Sequence, residues 1–164
     1  MTAQDLAARW TQDNGRLLSG IESKQLLQAA GLPISDETAP SAAVELRITV
    51  ELDTVLGPVM AVGFGRMAME IWDDVAYRVI PLAKKDPRPM LRELKGARRL
   101  LVGYRQMETV NASAVEGLLL AVSDFVARTP QVHEMDLSPV YGTRAGVTIH
   151  DARIELRAPK EDRP

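Results

Sequence analysis

Ten residues of strict alternation constrain this chain most. Val44, Leu46, Ile48, Val50 and Leu52 alternate with Glu45, Arg47, Thr49, Glu51 and Asp53. Successive strand side chains point to opposite faces, so this is a strand buried on one side and polar on the other. The polar side alternates acid and base, which reads as a wetted surface. The strand needs sheet neighbours and an apolar layer over its buried side.

Neighbours follow in the chain. Gly57-Pro58 makes a turn, Val59-Met60-Ala61-Val62 is a short apolar strand, and Gly63-Phe64-Gly65 breaks it. Met67 to Ile71 and Val75 to Ile80 read as two further strands joined by Trp72-Asp73-Asp74, with Pro81 stopping the second. The helices are punctuated by their caps. Residues 2 to 12 form a short amphipathic helix closed by Asp13-Asn14-Gly15. Ser19 and Glu22 have capping-box spacing at the start of a second helix. Ile21, Leu26, Leu27 and Ala30 are its apolar stripe, and Gly31 and Pro33 end it. Leu32-Pro33-Ile34 is an extended exit. Asp86-Pro87 opens a third helix that buries Met90, Leu91 and Leu94 and stops at Gly96. Leu100 to Val102 leads into a Gly103-Tyr104-Arg105 loop. Asn111 or Ser113 then caps the longest helix, to about Arg128, with Val115, Leu118, Leu119, Val122, Phe125 and Val126 as a broad stripe. This order predicts an α+β fold, a mainly antiparallel sheet with packed helices. Residues 36–43, polar and containing Pro40, are a linker. The expected divisions are 1–35, 36–43, 44–157 and a charged tail at 158–164.

The C-terminal hairpin carries the candidate chemistry. Glu134-Met135-Asp136-Leu137-Ser138-Pro139 and Asp151-Ala152-Arg153-Ile154 each put an acid into a strand-like run. The Gly142-Thr143-Arg144-Ala145-Gly146 loop between them has hairpin composition and brings Asp136 and Asp151 onto neighbouring strands. Two carboxylates on one sheet repel unless a cation or a basic side chain lies between them. Mg²⁺ suits hard oxygen ligands shared with phosphates. Two solvated aspartates at strand ends are the alternative.

Composition narrows the partners. The net charge of -2 gives no footprint for nucleic acid or an anionic membrane, and no apolar run reaches the roughly 20 residues of a membrane span. The absence of cysteine excludes disulfides and a thiol nucleophile and fits a cytoplasmic location. The first residues lack the charge and apolar core of a signal peptide. Gly63-Phe64-Gly65-Arg66-Met67-Ala68 approximates a dinucleotide-binding turn, but the expected helix and acidic strand end do not follow. It reads instead as a tight turn, or as one that brings backbone N–H groups to a phosphate. His133 and His150 read as structural histidines, and the serines lack a nucleophile-elbow context. Arg105, after Gly103, is either a phosphate clamp or a surface arginine.

Taken together, the segments resemble a known family. Glu45-Leu46, Asp53-Thr54-Val55-Leu56-Gly57-Pro58-Val59-Met60, Gly63-Phe64-Gly65 with Glu70, Asp74-Val75-Ala76-Tyr77-Arg78 with Pro81-Leu82, Gly103 with Arg105, Glu134 to Pro139 and Asp151 to Ile154 follow one another as in the ATP-grasp domain of ADP-forming acyl-CoA synthetases. Residues 17–34 look like the opening of the same domain. The resemblance implies an ATP-grasp C-terminal lobe and an ATP/ADP- and Mg²⁺-binding part of an enzyme interconverting acyl-CoA, ADP and phosphate with carboxylate, CoA and ATP. It nominates Asp136, Ser138 and Asp151 for the metal, Ser138 standing where the family has an asparagine. Glu45, Gly63 and Gly65 match positions lining the nucleotide cleft, and Arg105 completes that set. Arg66 stands where the family has a second glycine. The linker at 36–43 replaces a lobe that carries lysines and the phosphohistidine segment, and no catalytic residue is assigned. The resemblance therefore implies a chain inactive alone, completed by a CoA-binding ligase subunit or domain, by a homo-oligomer, or by a segment removed from this one. The alternative is a degenerate lobe serving assembly or regulation.

Overall fold

The computed structural model describes residues 1–12, 14–102 and 109–158. In chain order the elements are α1 (Ala3–Trp10), β1 (Arg16–Leu17), α2 (Gly20–Ala29), β2 (Val44–Asp53), β3 (Gly57–Gly63), α3 (Gly65–Glu70), β4 (Ala76–Val79), α4 (Pro87–Arg92), α5 (Ala97–Val102), α6 (Ala112–Arg128), β5 (Val132–Gly142), β6 (Val147–Ile149) and β7 (Ala152–Leu156). The strands form one sheet in the order β1-β7-β5-β2-β3-β4, with β6 beside β5. Every strand pair is antiparallel. This is the α+β architecture the sequence predicts, a mainly antiparallel sheet with packed helices.

The alternation of β2 sets the layers. Val44, Leu46, Ile48 and Val50 are buried, while Arg47 and Thr49 are half-buried and Glu45 and Glu51 exposed. The buried residues join Met60 and Val62 of β3, Met135 and Leu137 of β5 and Ile154 and Leu156 of β7 in one core cluster. α6 adds Val115, Leu118, Leu119 and Val122, and α2 adds Leu26 and Leu27. The strand therefore divides a covered face from an open one. Leu52, expected on the covered side, is exposed, because it pairs with Pro58 at the hairpin end. The turn there is held by Asp53, whose carboxylate accepts the N–H groups of Val55 and Leu56 at 2.7 and 2.8 Å.

The N-terminal segment contributes to the same sheet and core. β1 pairs with β7, Ala3 and Ala7 belong to the core cluster, and Ile34 bridges Ile149. Ser19 and Glu22 form the expected capping box, and the Arg16 guanidinium also bonds Glu22. That arginine, with the Ser19 N–H and hydroxyl, pulls the Glu22 carboxyl down to about 2. Residues 36–43 contain no helix or strand.

Several expectations are corrected. Met67 to Ile71 is not a strand: Gly65–Glu70 is helix α3. Its six residues are too few to display a helical period, and Met and Ala are good helix formers. Ala97–Val102 is helix α5 instead of a run into a loop. Ile21 points to solvent, because the side of α2 that packs carries Ser23, Leu26 and Leu27. Asp86 precedes α4 but its carboxylate accepts the Ala83 N–H at 2.7 Å, folding back into the preceding turn instead of capping the helix. No helix among the described residues is long and apolar enough to cross a membrane.

Candidate functional site

Among the nominated residues, Asp136 and Gly63 flank Arg47 of the open face, and Glu45 and Gly65 lie at its end, whereas Asp151 lies beside α2. β5 runs between β2 and β7, so Asp136 stands opposite Thr49 on one side and Arg153 on the other. Pro139 has no N–H to give to the ladder. Pairing jumps from Leu46 with Val140 to Ile48 with Leu137, so Ser138 and Pro139 together oppose Arg47. Such a bulge re-aims the side chains around it.

Arg47 fills the gap beside this bulge. Its Nε donates to Asp136 Oδ1 at 3.1 Å and its Nη2 to Oδ2 at 2.7 Å, a two-pronged pair. Its Nη1 donates to Glu70 Oε1 of α3 at 2.8 Å. The Asp136 bonds hold the Arg47 proton more firmly than in an ordinary arginine, outweighing burial. The hollow beside the pair is lined by Glu51, Glu134, Asp136 and Glu155 against Arg47 and Arg153. Its carboxylates outnumber its guanidinium groups, so it repels a triphosphate unless a further cation is supplied.

Asp151 and Ser138 are neighbours through the backbone, the Ser138 N–H donating to the Asp151 carbonyl at 3.2 Å. The Asp151 carboxylate accepts the Ala152 N–H at 2.8 Å and sits beside Gly20, at the start of α2. The Gly142 to Gly146 turn joins β5 to β6, and Asp151 stands in the connection between β6 and β7 instead of on a strand. It comes near the Asp136 strand through the pairing of β7 with β5, and the two carboxylates have separate partners. Among the described residues no three acidic or histidine side chains converge on one point. Mg²⁺ wants near-octahedral oxygen ligands, and the Asp136 oxygens are both committed to Arg47. In this arrangement the residues do not fit the ion.

Glu45, Gly63 and Gly65 do come together. Gly63 ends β3 opposite Arg47, and Gly65 opens α3 with φ +71. A Cβ on Gly63 would meet Met69 and lie 2.8 Å from the Asp74 carbonyl, so only glycine lets α3 fold this close. A Cβ on Gly65 would stand 3.6 Å from Glu45 Oε1. Arg66 is exposed and lies 3.8 Å from Glu70. Arg105 lies outside the described residues. His150 bonds the Thr148 hydroxyl at 3.0 Å and meets the Tyr141 ring edge-on at 4.8 Å, while His133 is half-buried at a second irregularity of β5.

Sequence reasoning missed Arg47. It read the residue as one charge of a wetted face, and nothing local links it to a carboxylate 89 positions away.

A model of the ATP-grasp domain matches residues 36–156. The chain belongs to that family. Its ATP-grasp domain is homologous to ADP-forming acetate–CoA ligases. It is 38% identical over 116 residues to the Pyrococcus furiosus protein named acetate–CoA ligase (ADP-forming) II subunit beta, covering 69% of this chain and 49% of that one. It is 35% identical over 112 residues to the Archaeoglobus fulgidus acetate–CoA ligase (ADP-forming) I, covering 68% of this chain and 16% of that one. The chain thus spans half or less of these relatives. Among solved structures, the dinucleotide-forming acetyl-coenzyme A synthetase 1 of Candidatus Korarchaeum cryptofilum, in complex with coenzyme A, Ca-AMPCP and HgCl+, superposes with TM-score 0.69 at 36% identity, over 74% of this chain and 52% of that one.

Proposed function

We propose that this ATP-grasp domain is the nucleotide-binding part of an ADP-forming acyl-CoA synthetase and that it works only with another subunit or domain. In that reading the open face of the sheet meets the phosphates. The observation that carries it is the gathering of Glu45, Gly63 and Gly65 at one end of that face, beside Arg47 and Asp136. Homology to ligases named as subunits supports the need for a partner. A CoA-binding ligase subunit supplies the acyl and CoA chemistry in this reading, or a second copy of the chain completes the site. Asp136, Ser138 and Asp151 belong to it as the oxygen-bearing side chains on the phosphate side, and Arg105 as a clamp. Residues 36–43 stand in place of a first lobe.

A second reading has its own observation. The pair between Arg47 and Asp136 satisfies both charges internally, as a structural lobe kept for assembly would. Isothermal titration with ATP and MgCl2 separates the two. The chain is titrated alone and with the CoA-binding subunit of an ADP-forming acetate–CoA ligase. Heat that Asp136→Ala removes is expected; no heat in either mixture rejects nucleotide binding and leaves the assembly role.

A further inference from the structure

Arg47 ties two separate elements together on the open face. It is 17% exposed, and three of its donors are spent on two carboxylates from different elements, Asp136 of β5 and Glu70 of α3. A guanidinium is a planar fork that matches a carboxylate edge and never loses its charge. Asp136 is 27% exposed and Glu70 53%, so solvent reaches the group from the α3 side. Without Arg47, the two carboxylates would face one gap with two cations at its margins, Arg66 at 3.8 Å from Glu70 and Arg153 opposite Asp136 on β7, neither forked onto Asp136 as Arg47 is.

We infer that Arg47 is a built-in cation: it holds Asp136 and Glu70 in the place a divalent ion would take, so guanidinium and ion compete for the same oxygens. The inference rests on the reading of Asp136 as a candidate metal carboxylate, and it states why the described residues do not fit the ion. Loading a divalent ion requires breaking two bonds to Asp136, each of a charge-assisted kind. It also cuts the tie from β5 through Arg47 to α3, the helix that follows the Gly63 and Gly65 turn. A chain built this way takes up a free divalent ion poorly, and gains it when the arginine is removed or drawn off by another anion.

Manganese(II) alone, followed by electron paramagnetic resonance with no nucleotide present, tests this on the full chain. Four proteins are compared: the wild type, Arg47→Gln, Arg47→Gln/Asp136→Asn and Arg47→Gln/Glu70→Gln. Arg47→Gln is expected to bind the ion at least about tenfold more tightly than the wild type, the scale on which partners of metal-binding side chains act. Both double variants are expected to lose that gain. Equal binding by the wild type and a folded Arg47→Gln overturns the inference, as does a gain that survives Asp136→Asn. Should Arg47→Gln not fold, Arg47→Lys carries the test, because an ammonium is a point charge and cannot fork onto both Asp136 oxygens. A partial gain is then expected, and affinity equal to wild type overturns the inference. A chain that fails to bind nucleotide would leave this manganese contrast intact, so the two failures are distinguishable.

Discussion

The two faces of β2 obey different rules. On the covered face Leu46, Ile48 and Val50 are at most 1% exposed, and each is held by being apolar and of suitable size. On the open face Arg47 is held by three hydrogen bonds of defined direction to residues 23 and 89 positions away. Hydrophobic burial is non-directional and tolerates many partners, whereas a forked ion pair has one geometry. The covered face therefore specifies that a sheet forms, and the open face specifies what the sheet presents.

The largest effect should come from the covered face. Ile48→Ala is expected to destabilise the chain by about 2–5 kcal/mol in urea unfolding, through lost transfer energy and an unfilled cavity. A loss below about 1 kcal/mol would make the two faces alike. Arg47→Met comes next, at about 1–2 kcal/mol, because it leaves the half-buried Asp136 carboxylate without its partner. A double-mutant cycle with Asp136→Asn should assign most of that loss to the pair. Independent summation of the two single effects would show the pair to be a bystander.

The cap of α2 sharpens the comparison away from the sheet. Ser19→Ala should cost about 1 kcal/mol through the lost bond to the Glu22 N–H. Glu22→Gln should destabilise in a pH-dependent way. The folded carboxyl is lowered from 4.5 to about 2, so its contribution is complete above the ordinary value and fades as pH falls toward about 2. Unfolding midpoints of wild type and Glu22→Gln should thus differ at pH 7 and converge in acid. The smallest effect is expected at Glu51, an exposed open-face neighbour; Glu51→Gln should stay within about 0.5 kcal/mol by thermal melting.

Much of the scaffold was legible because its signals are local. The alternation of β2 as far as Val50, the Ser19–Glu22 box, the α6 cap and the Gly142 to Gly146 turn each lie within a few residues, and each formed, with Asn111 and not Ser113 taking the cap. Where a signal was short it misled: six residues after Gly65 could not reveal a helix, and Ile21 shared a nominal stripe with buried residues while facing water. At the candidate site the sequence placed Asp136 on a strand, but put Asp151 on its neighbour where it stands just before β7, and gave neither carboxylate its direction, because a bulge at Ser138 and Pro139 decides what stands beside Arg47.

The sequence by itself determined the layers, the tight turns and the starts of α2 and α6, because period, caps and turn residues act on the backbone nearby. Only the tertiary structure decided that the guanidinium of Arg47 joins Asp136 to Glu70 and that Asp151 lies against α2 instead. Those choices depend on which of several charges comes within hydrogen-bond reach once distant strands are in register, and no local pattern encodes that distance.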